Sequence, residues 1–264
     1  MSDAVTPSRP RFRKRRSLIW AFVAIFLLPV FAAAGALAYR GGPPHWGQWD
    51  RSVTSQMPPA ATHPQARVLV MTGRTRGWKG VLAVHSWIVI KGENDTAWRR
   101  YDVSGWGTPV RLNWWPPDLW FGSHGEIVLD LKGAAAQALI PRIDAAIKSY
   151  AYGEHGDYRM WPGPNSNSFV AAVLRAIPEA GATLPPNAIG KDYRPWPYLG
   201  PTDSGTGLEA NLWGVLGVKF GWVEGLEFNV LGLVAGLDVR NPALKVPGYG
   251  RIGFDNTATA ATKS

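Results

Sequence analysis

Gly80-Val81-Leu82-Ala83-Val84-His85-Ser86-Trp87-Ile88-Val89-Ile90-Lys91 decides the architecture. Its odd positions run Val81, Ala83, His85, Trp87, Val89 and its even positions Leu82, Val84, Ser86, Ile88, Ile90, so neither parity is polar. A strand apolar on both faces lies inside a sheet that is covered on both sides. The flanking segments supply its neighbours. Arg67–Thr72 is a short β-type run, Gly92–Ala97 (GENDTA) is a loop, and Trp98–Ser104 (WRRYDVS) returns as an antiparallel hairpin partner. A loop centred between Asn94 and Asp95 makes paired positions sum to 189, which sets His85 opposite Ser104 with Asp102 one diagonal away on the same face. A one-residue slip would bring Tyr101 or Val103 to that face instead.

Beyond the hairpin, Asn113–Gly122 (NWWPPDLWFG) is loop, because two prolines interrupt three tryptophans. Trp114, Trp115 and Trp120 there suit a groove for sugar or acyl chain, contact with a bilayer surface, or a local cluster pinning the loop. Glu126–Leu131 is a short strand. Gly133 opens an alanine-rich helix from Ala134 to about Tyr150, with a kink or a split expected at Pro141. Ser166–Ala176 (SNSFVAAVLRA) is a second helix, entered from Pro162-Gly163-Pro164-Asn165 and stopped before Pro178. Residues 200–254 carry glycines at 205, 207, 214, 217, 221, 225, 232 and 236 without a fixed period. That favours β structure over helix, with a hairpin around Glu224-Gly225. No internal repeat is evident.

Composition narrows the function. The chain has 264 residues, 46% hydrophobic and 18% charged, and no cysteine. Disulfide scaffolds, cysteine-ligated metals and cysteine nucleophiles are excluded. The net charge of +9 is concentrated: residues 1–16 hold six basic groups against Asp3, leaving 22 basic and 18 acidic groups in the rest. No basic stripe remains for nucleic acid. His45, His63, His124 and His155 lack metal-ligand spacing, and the glycines lack a phosphate-loop lysine, so neither a metal nor a cofactor is expected.

Residues 18–39 form 22 uncharged positions, and a helix of that length spans the ~30 Å hydrocarbon core of a bilayer. The basic cluster before it sets the N-terminus in the cytoplasm and the rest outside. Small residues at Ala32-Ala33-Ala34 and Ala36-Leu37-Ala38 also fit a cleaved signal segment. The expected organisation is a cytoplasmic tail (1–16), a transmembrane anchor or signal segment (17–39), a linker (40–66), an α+β domain (67–199) and a β-rich extension and tail (200–264).

Trp161-Pro162-Gly163-Pro164-Asn165-Ser166-Asn167-Ser168-Phe169-Val170 feeds a polar residue directly into a helix start. Unpaired amides and the helix dipole there stabilise an oxyanion. Asn165 or Ser166 as a plain N-cap is the simpler reading of the same residues.

Asn165-Ser166-Asn167-Ser168-Phe169-Val170 resembles the helix start of circularly permuted papain-like proteins, which include the NlpC-type peptidases and the lecithin:retinol acyltransferase group, although serine stands where they carry cysteine. Residues 67–254 also resemble the bacterial domain-of-unknown-function 3750 family through His85-Ser86-Trp87, the 161–169 segment and Asn241-Pro242-Ala243-Leu244-Lys245-Val246-Pro247-Gly248. The resemblance implies a permuted papain-like domain, an antiparallel sheet with packed helices, plus the glycine-rich β extension. It implies Ser166 as nucleophile and His85 as its base, and the hairpin register offers Asp102 to orient His85. Trp87, Trp161, Asn165, Asn167 and Ser168 are candidate substrate-binding residues. The function expected is a serine-dependent hydrolase or acyltransferase acting on amide or ester bonds of an envelope lipid, peptide or glycan. The alternative is a non-catalytic envelope binding or assembly module on a degenerate cleft.

These expectations place the protein in the bacterial inner membrane, single-pass, with its C-terminal domain extracytoplasmic. A reporter active only outside the cytoplasm, fused after Ser264, is expected to be active and to fractionate with membranes; a silent reporter would overturn that topology.

Overall fold

The computed structural model of the protein describes residues 11–43, 47 and 49–253. Residues 1–10 of the basic tail, His45 and residues 254–264 lie outside them. The chain is α+β, with antiparallel sheets and one apolar N-terminal helical run. That run comprises α1 (Arg11–Phe22), a π turn (Val23–Leu27) and α2 (Leu28–Tyr39). Pro29 has no amide hydrogen, so the helix ladder loses a bond there, and the wide turn just before it takes up the break. Arg16–Tyr39, 24 residues whose most apolar 18-residue window has a mean hydropathy of 2.4, is long and apolar enough to cross a membrane, a property that anchors and signal sequences share.

The first sheet is built from β1 (Arg67–Arg74), β2 (Val84–Lys91), β3 (Arg99–Val103) and β4 (Val110–Leu112). After a two-strand hairpin, β5 (Leu119–Trp120) and β6 (Ser123–His124), it is completed by β7 (Glu126–Lys132). The strand order is β4-β3-β2-β1-β7. All eight residues of β2 are buried, as a strand apolar on both parities demands. It begins later than the apolar run does, because Gly77–Val81 forms a 3-10 turn. Trp87 pairs with Asp102 and Ile88 with Tyr101, the register in which positions sum to 189.

The two faces of β2 bury different things. Val84, Ile88 and Ile90 face a core with α3 (Gly133–Lys148) and α4 (Ser166–Ala176), in which Ile143, Phe169 and Val170 are sealed. α3 runs as one helix through Pro141, where a kink or a split was expected. On the other face Trp87 and Val89 join Leu69, Met71, Trp98, Trp120 and Phe121. Trp49 and Met57 pack over this second core, and the Trp98 indole donates to the Pro58 carbonyl at 2.9 Å. The stretch read as a linker thus runs along the domain from residue 49 onward.

The second sheet is a seven-strand meander: β8 (Tyr198–Pro201), β9 (Gly207–Leu212), β10 (Leu216–Gly221), β11 (Gly225–Val230), β12 (Leu233–Asp238), β13 (Ala243–Val246) and β14 (Gly250–Gly253). The hairpin around Glu224-Gly225 is present between β10 and β11. A short repeat, not evident at the sequence level, underlies it: Glu209-Ala210-Asn211-Leu212-Trp213-Gly214 and Glu227-Phe228-Asn229-Val230-Leu231-Gly232. In each copy the Asn side chain accepts the amide of the glycine, at 2.7 and 2.9 Å, and the residue before that glycine has positive φ. Both turns thus use the left-handed geometry that glycine tolerates.

This sheet is inverted relative to an ordinary soluble one. One register row, Leu208, Phe220, Leu226, Leu237, Leu244 and Ile252, crosses six strands on the outward face. The next row inward in register, Glu209, Lys219, Glu227, Gly236, Lys245 and Arg251, faces the protein. Glu209, Lys219, Glu227 and Lys245 are buried against a segment carrying Lys191, Asp192, Arg194 and Asp203. Four cations thus meet four anions out of water. Lys219 Nζ lies 2.8 Å from Asp192, 3.4 Å from Glu209 and 3.6 Å from Asp203. Burial pushes the Asp192 carboxyl up, but Lys191 and Lys219 outweigh it and hold it below the carboxylate range. Burial likewise lowers the Lys219 amine, and its three acidic neighbours raise it well above the ordinary value.

Breaking such a network from one side leaves uncompensated buried charge. Lys219→Met is expected to cost about 3–5 kcal/mol of unfolding free energy, read from denaturant titration. The depressed carboxylates have a defined sign: their contribution is complete above about pH 5 and is lost as pH falls through about 4 toward their folded values. The difference between wild type and Lys219→Met is therefore expected to shrink in acid. A pH-independent difference would overturn the assignment.

Candidate active site

The Trp161–Pro164 turn delivers the chain to α4, and Asn165 is its N-cap. Asn165 Oδ1 accepts the amides of Asn167 and Ser168 at 2.9 and 3.1 Å, while Ser168 Oγ accepts the Asn165 amide at 2.7 Å. This reciprocal box settles which residue caps and what Ser168 does: it is a cap, with its side chain turned toward Tyr150. Ser168, expected among the substrate-binding residues, does not line the cleft that holds His85. Asn165 Nδ2 is committed too, to the carbonyls of Met160 and Ile189 at 3.0 and 3.1 Å. Gly190 passes so close that a Cβ there would lie 2.2 Å from that nitrogen.

Asn167 fastens the helix start to the central strand. Its Nδ2 donates to Val84 O and Ile189 O at 3.0 and 2.8 Å, and its Oδ1 accepts Ser86 Oγ at 2.6 Å. The first turn of α4 therefore does meet β2, but at Ser86 and not at His85. Strand parity is the reason: Val84 and Ser86 point to the helices, and His85 points with Trp87 to the tryptophan side.

His85 lies flat on Trp120, ring centroids 3.8 Å apart and planes within 7°. Its Nε2 is sealed and 3.9 Å from Asp102 Oδ2, beyond a direct hydrogen bond. Asp102 is held by Arg100, whose Nε and Nη2 reach the same Oδ2 at 3.0 and 2.9 Å. Arg100 is itself 1% exposed, stacks over Trp87 at 4.4 Å, and donates to the carbonyls of Pro116 and Leu119 at 2.6 and 2.5 Å. Burial lowers its guanidinium to about 10. Burial also pushes the His85 imidazole below its ordinary value; Asp102 works against that and Arg100 with it. His85 is neutral at neutral pH. Trp87, expected among the substrate-binding residues, is fully buried, donates its indole N–H to Pro117 O at 2.8 Å and does not line the cleft.

His85 and Ser166 nevertheless open on one cleft of about 620 Å³, at the end of the first sheet. Asn165, Asn167 and Trp161 also line it, with Val84, Val103, Met160, Ile189, Leu231 and Leu233 supplying apolar wall. Val30 of the N-terminal helix reaches it as well. The Ser166 hydroxyl has no hydrogen bond among the described residues, and none joins it to His85. Of the first-turn amides, Asn165 takes two, which leaves that of Ser166 to meet a ligand. The triad expected from Ser166, His85 and Asp102 is thus drawn to one cleft without being joined. Sequence reasoning missed Arg100, and it placed Trp120 in the loop cluster without setting it against His85. The Trp-Arg-Arg run of the hairpin carried no sign that one arginine turns inward.

A family model described as "Protein of unknown function (DUF3750)" matches residues 65–193. No curated protein and no solved structure gives a match. The matched stretch contains the first sheet, α3, α4, the His85–Asp102–Arg100 group and the Asn165–Ser168 cap; the seven-strand sheet lies outside it. Residues 65–193, which hold the cleft's His85 wall and its capped helix start, are the part of the chain that matches the DUF3750 family of proteins of unknown function.

Proposed function

We propose that this chain is a membrane-anchored, envelope-facing module whose cleft binds an amphiphile with an apolar tail and an anionic head. The observation that carries this is the cleft's lining. Its walls are mostly aliphatic and aromatic, and one wall is Val30 of the helix that is apolar enough to enter a membrane. Arg76 and Lys79 are the formal charges among the lining residues, and both are positive. A pocket of this size and polarity suits a lipid-like ligand, with a few polar groups fixing its orientation. His85, kept neutral by burial, offers such a group without demanding a counter-charge.

A second reading, hydrolase or acyltransferase chemistry on a permuted papain-like domain, is favoured by one specific observation. The Ser166 hydroxyl and amide are uncommitted at a helix start that shares the cleft with a neutral histidine. In that reaction Ser166 Oγ attacks an acyl carbon, His85 receives its proton and returns it to the leaving group, and water later releases the acyl chain. The reaction requires a closer approach of Ser166 to His85, and Arg100 works against it by engaging the carboxylate that would steady the base.

Two measurements separate the readings. Binding of a fluorescent long-chain carboxylate to the full chain in detergent is expected to saturate. Met160→Asp, which places a negative charge on an exposed cleft residue, is expected to weaken it about tenfold, equivalent to ~1.4 kcal/mol. Unchanged affinity would remove the cleft from consideration. For the enzyme reading, ester turnover would have to vanish in Ser166→Ala and His85→Gln alike. Because the His85 value is lowered, the base form persists into mild acid, so the acid limb of kcat/KM would fall below about pH 6.5. Turnover equal in wild type and Ser166→Ala would exclude it.

A further inference from the structure

The seven-strand sheet presents water with the face that a soluble protein normally buries. Phe220 is 66% exposed, Leu208 68% and Leu244 54%, and the neighbouring row adds exposed Val218 and Phe228. Every charged residue of strands β8–β14 points the other way, into the ion-pair network or, for Asp238 and Arg251, into a pair with each other. An apolar patch of this extent on one face marks an interaction surface. We propose that its partner is a lipid bilayer: the outward side chains enter the acyl layer of the membrane that the N-terminal helix also enters.

Three observations select lipid over protein. The N-terminal helix is part of the same surface. Its π turn packs on β12, where Phe26 becomes buried, while the span as a whole stays open on its other sides. Apolar helix and apolar sheet are therefore contiguous. The alternation along β9, β10 and β11, apolar outward and charged, amide or glycine inward, is the pattern of a lipid-facing sheet. Exposed aromatics sit at both strand ends, Trp213 and Tyr249 at one and Trp222 at the other, the placement favoured at a membrane–water boundary. The edge strands β8 and β14 set the depth. Among the described residues their outer backbone groups have no strand neighbour, and hydrocarbon does not tolerate that. The backbone therefore lies near the headgroup level, with side chains reaching below it. The domain is thus held against the membrane by a broad face as well as by its helix, independently of what the cleft binds or does.

The chain has no native cysteine, which makes the test direct. Phe220→Cys and Leu237→Cys on the outward face, and Lys148→Cys on the exposed end of α3, are each labelled with an environment-sensitive fluorophore. The full chain is reconstituted in phosphatidylcholine–phosphatidylglycerol vesicles. Labels at 220 and 237 are expected to lose more than half their emission to shallow doxyl-phosphatidylcholine and to be at least fivefold less accessible to aqueous iodide than the label at 148. Iodide access equal at all three sites would overturn the proposal, because the sheet would face water. Protection from both quenchers would overturn it too, because a second copy of the chain or another protein would then cover the face.

Discussion

The Asn167 side chain is the joint on which the site depends. Three buried hydrogen bonds, to Val84, Ile189 and Ser86, tie the first turn of α4 to the central strand and to the loop before the second sheet. Each such bond contributes about 1 kcal/mol net, but a buried amide left unpaired costs about 1–3 kcal/mol, so the arrangement has little freedom to slide. With Asn167 pinned, Ser166 projects into the cleft and Ser168 is left to the cap. The same joint gives the helix start to Ser86 instead of His85.

Arg100 sets the character of the other half of the site. A buried carboxylate needs a partner, and in a triad the histidine shares that duty. Here the guanidinium takes it, held in turn by two carbonyls and the Trp87 ring. His85 is left as a neutral ring stacked on Trp120, 3.9 Å from a carboxylate already satisfied. That geometry supports the proposed ligand-binding reading over the serine-dependent one. It agrees with a cleft whose walls are apolar and whose formal charges are both positive.

The second sheet solves an opposite problem. Burying Glu209, Lys219, Glu227 and Lys245 is costly unless every charge is matched, and the 191–203 segment supplies the counter-charges at close range. That frees the outward face to be wholly apolar. The two cores of the first sheet follow ordinary rules, so the inversion belongs to the extension alone. Arg74 couples the parts by donating to the Gly248 and Tyr249 carbonyls at 2.6 and 2.5 Å, and the Trp161 indole does so through Leu231 O at 2.9 Å.

Local physics alone carried much of this. A strand without a polar parity must be internal, and β2 is. A loop centred on Asn94-Asp95 sets the register that brings Asp102 diagonal to His85. A Pro-Gly-Pro turn followed by Asn and Ser starts a helix, and an uncharged run of 22 residues makes an apolar helix. What lay beyond local pattern was which side of each sheet is inside. Both parities of β2 are apolar, so nothing in its residues told whether His85 or Ser86 meets α4. In β9–β12 the alternation of Leu and Phe with Glu, Lys and Asn defines two faces, but hydrophobicity by itself assigns the apolar one to the core. Only the assembled chain, in which residues 191–203 arrive with matching charges, turns that assignment over. Sequence periodicity reports that faces differ, and partners distant in the chain decide which face is buried.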